Sequence, residues 1–281
     1  MTPEIMVLGG SGVGKTHLVG QLVLRMRRNR QGLLRIRHGG VQNLSSLEEV
    51  LTCLEAGRAA GHTPAETWTG VKCELETVSG QSVSLEWPEY AGERLFSIVK
   101  RRAVPEEWRK SISSATGWLL FIRPSTLNLY EDLLTRPAGV TPPNALRKQS
   151  ELDGNSWDDR ARYVELLQIL LCTAGKSSYS RIDSPRLAIV LSCWDEGTNS
   201  KSPVELFNER MPLLSSFVRS NWVGDAWSVW GLSSLGRALS QEQCDQDYAE
   251  KGPENFGYVV ETHTTKMDTD LTRPIAWLMK V

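Results

Sequence analysis

The chain has 281 residues, 40% of them hydrophobic and 23% charged, and its 32 Lys and Arg nearly balance 33 Asp and Glu. That is the composition of a globular protein, and a net charge of −1 excludes an overall positive field for holding nucleic acid or an anionic membrane surface. No apolar run approaches the roughly 18 residues of a membrane span. Met1-Thr2-Pro3-Glu4 leads into Ile5 without a charged leader, and five scattered cysteines match neither a disulfide framework nor a zinc site, so a reduced, cytoplasmic setting is expected.

In chain order, Ile5-Met6-Val7-Leu8 is a short apolar run ending in glycines, the pattern of a buried parallel strand, and residues 16–28 follow as an amphipathic helix. Ser45 with Glu48 forms a capping box ahead of Leu47, Val50, Leu51 and Leu54, which predicts a helix over 44–60. Val71, Cys73, Leu75 and Thr77 alternate with charged residues. Beyond Ser79-Gly80, Val83, Leu85 and Trp87 alternate in the same way, as the two arms of an antiparallel hairpin. Trp118-Leu119-Leu120-Phe121-Ile122 and Leu187-Ala188-Ile189-Val190-Leu191 are continuous apolar runs, the mark of central strands covered on both faces, and helical stretches lie near 92–110, 157–173 and 203–220. Residues 136–156 and 240–256 are polar and read as surface insertions. The pattern predicts one α/β domain over 1–281. Its sheet is doubly wound and mostly parallel, with an antiparallel hairpin strand and helices on both faces, and its insertions fall near 29–62, 125–156 and 237–256.

Gly9-Gly10-Ser11-Gly12-Val13-Gly14-Lys15-Thr16 matches G-x-x-x-x-G-K-[ST] in full, between the first strand and the first helix. In that context glycines let successive backbone N–H groups converge on phosphate oxygens, and the helix N-terminus adds its positive dipole. Lys15 reaches the β and γ phosphates, and the Thr16 hydroxyl can ligate Mg²⁺. Gly10, Ser11, Gly12, Val13, Gly14, Lys15, Thr16 and His17 are the candidate phosphate contacts of a P-loop NTPase.

Three further stretches, in order and at strand ends, are similar to motifs of the Ras-like GTPases of the translation-factor-related class. Glu89-Tyr90-Ala91-Gly92-Glu93 resembles D-x-P-G-E with Glu89 in place of the aspartate and Ala91 in place of the proline. Ser192-Cys193-Trp194-Asp195 resembles the guanine-reading N-K-x-D with only Asp195 matching, and Ser233-Ser234-Leu235 resembles the S-A-[KL] loop that helps hold the base. Gly257-Tyr258-Val259-Val260 followed by Asp270-Leu271-Thr272-Arg273-Pro274-Ile275 resembles the C-terminal region of double-GTPase-type domains of bacterial conflict systems. The resemblance implies a GTP- and GDP-binding fold, a Mg²⁺ ion, a protein partner and a conflict or defence setting. It also implies roles for individual residues. Asp195 would accept hydrogen bonds from the guanine N1–H and N2–H₂ edge, and Gly92, Ser233 and Ser234 would line the nucleotide. Thr67, with Thr63 in reserve, would complete the Mg²⁺ shell with Thr16 and Glu89.

The departures bear on chemistry. The extra methylene of Glu89 shifts its carboxylate relative to an aspartate, and Mg²⁺ demands near-octahedral geometry, so turnover slows. Glu93 stands where relatives have a water-orienting glutamine; it can orient water but repels the γ-phosphate, and it equally suits a first helical turn. Cys193 and Ser192 replace lysine and asparagine, and Trp194 either packs against the base or fills the core. The Arg25, Arg27, Arg28, Arg30, Arg35 and Arg37 cluster reads as a solvated helix end, Arg94, Arg101 and Arg102 as wet-face residues, and the four histidines lack metal-ligand spacing. The expected function is a Mg²⁺-dependent GTP-binding protein with slow hydrolysis by Lys15, Glu89 and Glu93, a nucleotide switch or regulatory subunit for a protein partner, with no membrane or direct nucleic-acid binding. The alternative is a degenerate interaction module that binds GTP or ATP without hydrolysis.

Overall fold

The structure, a computed structural model, describes residues 3–28, 32–42, 47–61, 71–87, 92–129, 158–176, 180–197 and 200–280. The first strand, β1 (Glu4–Gly9), runs through a glycine turn into α1 (Lys15–Arg27), as the motif spacing requires. An outer strand, β2 (Leu34–Gln42), and a short helix, α2 (Glu48–Glu55), precede the hairpin of β3 (Val71–Thr77) and β4 (Ser82–Trp87). Helices α3 (Gly92–Arg101) and α4 (Glu106–Ser114) lead to β5 (Gly117–Ile122), and α5 (Asp159–Thr173) leads to β6 (Arg186–Ser192). Helices α6 (Pro203–Arg210) and α7 (Pro212–Asn221) precede β7 (Trp227–Ser233). The chain closes with α8 (Gln246–Lys251), β8 (Tyr258–Val260), β9 (Met267–Asp268) and α9 (Arg273–Leu278).

Among the described residues the strands form one sheet in the order β2-β3-β4-β1-β5-β6-β7-β8-β9. Its centre, β4-β1-β5-β6-β7, is parallel, with Val7 opposite Leu119 and Leu120 opposite Ile189. Both flanks are antiparallel; in the predicted hairpin Leu75 faces Val83, and Gly80 at φ 86° makes the tight turn. Strand alternation then sorts the core into two layers. Ile5, Val7, Leu119, Phe121, Ala188 and Val190 pack under α1, α2 and α9, while Met6, Leu8, Trp118, Leu120, Leu187 and Ile189 pack under the helices from α3 to α7. Helices cover both faces, which is why the central strands read as unbroken apolar runs. At β1 the chain turns to α1 on one face, and its neighbours β4 and β5 connect through helices on the other. The crevice beyond the carboxyl end of β1 is therefore the place where such sheets bind ligands. Among the described residues no helix is long and apolar enough to cross a membrane.

Several expectations change. The helical stretch near 92–110 is two helices, broken after Arg101 and restarted at Glu106 behind Pro105, and that near 203–220 breaks at Met211 before Pro212. Proline removes a backbone donor and disfavours helix at the residue before it. The helix predicted over 44–60 spans only Glu48–Glu55, with no capping side chain at Leu47; Gly57 at φ 65° ends it, and Ser45 lies outside the described residues. Residues 240–256 are polar yet contribute a buried anchor. Tyr248 is fully buried, Gln21 of α1 donates to the Pro253 carbonyl at 2.7 Å, and Asp245 N–H donates to the Gly57 carbonyl. Arg25 is not a solvated helix end: it is 6% exposed and donates to the carbonyls of Phe256, Gly257 and Thr269. Arg35 lies on β2, paired with Glu76 across the strands rather than on a helix.

Candidate active site

The phosphate-loop motif forms the turn between β1 and α1. Gly12 and Gly14 adopt φ 69° and 79°, left-handed conformations that other residues adopt only under strain. Gly14 is the N-cap of the 13-residue α1, which has no capping side chain. A Cβ at Gly10 would sit 3.0 Å from the Phe96 ring, so α3 packs directly on the loop. Val13 is core, 5% exposed, and its side chain faces Gly9. Lys15 Nζ donates to the Gly9 and Gly10 carbonyls at 2.8 and 2.6 Å, and burial lowers its pKa to about 8. The loop thus holds a desolvated ammonium against two of its own carbonyl oxygens, and an anionic phosphate is a stronger acceptor than a carbonyl. This fits the group that the motif implies. The His17 ring accepts from Ala60 N–H at 3.2 Å, so His17 braces the segment after α2 with its side chain.

The candidate base-reading loop lies beside this turn. Cys193, in the left-handed region at φ 51°, places Sγ 3.9 Å from where a Gly14 Cβ would be. Burial pushes its thiol up to about 11, so the position of the motif's lysine holds a neutral side chain at pH 7. Trp194 is 4% exposed, and its indole presses on Gly231 of β7, where a Cβ would lie 2.6 Å from it: of the two roles open to it, it fills the core. The half-buried Asp195 follows on the same short turn, and with burial its charge holds the Tyr258 hydroxyl above the ordinary tyrosine range. Ser233 is fully buried, and its hydroxyl accepts from Gly236 N–H at 2.9 Å, shaping the 233–236 turn. A Cβ at Gly257 would lie 2.4 Å from the Ser234 carbonyl. Ser233 therefore shapes this turn as a hydrogen-bond acceptor, which leaves its own O–H as a donor.

Sequence reasoning missed one cluster. Arg123, directly after β5, donates to the Gly12 carbonyl at 3.1 Å and forks onto Glu196, with Nε 3.1 Å from one carboxylate oxygen and Nη2 on the other. Ser125 also donates to Glu196. Burial works against the Glu196 carboxylate, but the hydrogen bonds from Arg123 and Ser125 outweigh it and hold its pKa below the usual range. The signal available was a charged residue at the end of each of two central strands, Arg123 after Ile122 and Glu196 beside Asp195. Gly92 and Glu93 begin α3, where an acidic residue suits the first turn; the Glu93 side chain, Glu89, Thr63 and Thr67 lie outside the described residues. Of the three candidate Mg²⁺ residues, Thr16 alone falls within them, on the first turn of α1.

A family model described as Double-GTPase 1 matches residues 6–278. No curated protein matches the chain. Among solved structures it is similar to the Arl6 small GTPase of Trypanosoma brucei with a bound nucleotide analogue, at TM-score 0.39 and 10% identity over 84% of this chain and 88% of that one. It is also similar to the signal recognition particle receptor SRb-GTP/SRX complex of Chaetomium thermophilum, at TM-score 0.36 and 12% identity over 86% and 95%. A third is the GTPase-like domain of Ski7 from S. cerevisiae, bound to GDP and inorganic phosphate, at TM-score 0.39 and 12% identity over 84% of this chain and 43% of that one.

Proposed function

The chain belongs to the Double-GTPase 1 family, and from that premise we propose that it is a Mg²⁺-dependent guanine-nucleotide switch that hydrolyses GTP slowly and acts through a protein partner. The observation that carries the reading is the convergence of the glycine turn at Gly14 with the Cys193–Asp195 turn, where Cys193 Sγ lies 3.9 Å from the place a Gly14 Cβ would take. One nucleotide can span both turns, its phosphates on the loop and its base beside Asp195. Lys15 would exchange its carbonyl partners for phosphate oxygens, and the α1 N-terminus would add its dipole. Asp195 would accept from the guanine edge, a pairing that adenine cannot return. Thr16, Thr67 and Glu89 would hold Mg²⁺, which supplies neutralising charge when bound. Glu93 would orient the attacking water, and its repulsion of the γ-phosphate supports slow turnover.

A role in a bacterial conflict system belongs to the same proposal and rests on the family resemblance. The second reading, a nucleotide-binding interaction module without hydrolysis, draws on the neutral thiol at position 193 and on Trp194 lying in the core, which leave the base with fewer contacts. Chromatography of the nucleotide released by denaturing the purified protein tests the first reading, followed by phosphate release from GTP with Mg²⁺. Bound GDP or GTP and slow release are expected. Adenine nucleotide alone, or no affinity for GTP, overturns the guanine reading, and guanine nucleotide without phosphate release favours the second.

A further inference from the structure

We propose that Arg123 is a positioning residue that clamps the phosphate loop to the base-reading loop, supplying from the end of β5 the cation that position 193 lacks. The inference rests on the guanine-nucleotide reading above. Three observations carry it. First, the guanidinium bridges residues far apart in sequence: Nη1 lies 3.1 Å from the Gly12 carbonyl, while Nε and Nη2 grip both oxygens of Glu196, next to Asp195. Second, Arg123 acts electrostatically on both Cys193 and Asp195, so a guanidinium from the end of β5 lies near the loop whose position 193 holds a neutral thiol. Third, Ser125 completes the grip on Glu196, which fixes the carboxylate and with it the turn that presents Asp195.

The clamp acts on both ends of the nucleotide. A peptide unit is planar, with its C=O and N–H pointing opposite ways, so drawing the Gly12 carbonyl towards Arg123 turns the Val13 N–H to the other side of the loop. Glu196 and Asp195 share one helical turn, so holding the first limits the second. As an ion pair, Arg123 and Glu196 are partly exposed, 30% and 26% at the side chain, and pairs of that kind add little to fold stability. The effect of Arg123 therefore falls on nucleotide retention and base choice rather than on folding. Lysine cannot reproduce the fork, because its ammonium is a point charge without a planar pair of donors.

The test uses the full chain and compares the parent with Arg123→Ala, Arg123→Lys and Lys15→Ala. It measures release of fluorescent GDP by stopped flow, competition between GTP and ATP, and nucleotide-free melting temperature. Arg123→Ala is expected to release GDP about tenfold faster and to lose most of the GTP preference, the size set by losing charge-assisted hydrogen bonds. Its melting temperature should stay close to the parent's, and Arg123→Lys should fall between parent and Ala in release rate. Unchanged release and preference in a folded Arg123→Ala, in an assay where Lys15→Ala abolishes binding, overturns the clamp and leaves the guanine reading standing. Equal losses of stability and affinity overturn it too, as a purely structural pair would do. A parent without GTP affinity overturns the guanine reading and the clamp with it.

Discussion

Lys15→Met, measured in nucleotide-free protein, tests whether the phosphate loop is held in readiness at the expense of stability. Burial lowers the Lys15 ammonium from 10.5 to about 8. At about 1.4 kcal/mol per tenfold change in proton affinity, keeping the charged form in the fold costs roughly 3.5 kcal/mol at neutral pH. Methionine keeps the stem and removes the charge. It also removes the hydrogen bonds to the Gly9 and Gly10 carbonyls. Ser11 and Gly12 beside them are exposed, so water can replace much of that loss. The variant should therefore be more stable than the parent by about 1.5 kcal/mol at pH 7, after offsetting roughly 1 kcal/mol for each lost bond. The sign of the pH dependence follows from the lowered pKa. Below pH 8 both folded and unfolded chains carry the proton and the penalty is constant. Between pH 8 and 10.5 the folded chain sheds it first, so the unfolded state binds more protons and the parent gains stability relative to Lys15→Met. GTP reverses the ranking at neutral pH: at a hundredfold excess over Kd it would stabilise the parent by about 2.7 kcal/mol and leave the variant unmoved. Urea unfolding at pH 7, 9 and 10.5, with and without GTP, reads all of these quantities. A variant less stable than the parent by more than about 1 kcal/mol at pH 7, or a stability difference flat from pH 8 to 10.5, would refute the reasoning.

Three other outcomes are expected. Asp195→Asn should erase most of a parent preference for GTP over ATP of at least about tenfold and favour xanthine nucleotides, since asparagine can donate to the oxygen that replaces guanine's amine; competition binding with GTP, ATP and XTP checks it. Gly231→Ala forces a Cβ to within 2.6 Å of the Trp194 indole, so it should cost about 1–3 kcal/mol in urea unfolding and weaken GTP binding through the displaced turn; a neutral effect on both would show that Trp194 yields without moving its neighbour. Glu89→Ala should slow Mg²⁺-dependent phosphate release more than it weakens GTP affinity, and equal release by variant and parent would remove Glu89 from the metal shell.

The local part of this protein is written in short segments. The strand, glycine turn and helix from Ile5 to Arg27 follow from adjacent residues, because left-handed glycines, a helix N-terminus and an apolar strand are each settled within a few positions. The hairpin at Ser79-Gly80 and the apolar runs at 118–122 and 187–191 are legible for the same reason: period-two alternation marks a strand with one open face, and its absence marks a strand buried on both. Tertiary structure decided what depends on contacts across the chain. Arg25 looks like one of six surface arginines until the 256–269 backbone, more than 200 residues away, closes over it and takes up its donors. Trp194 could have met a base or a core, and the missing side chain at Gly231, on the adjacent strand, admits it to the core. Arg123 carries no motif of its own. It touches Gly12 and Glu196 because parallel pairing sets β1, β5 and β6 side by side and brings their carboxyl ends to one edge, a proximity that no local pattern encodes.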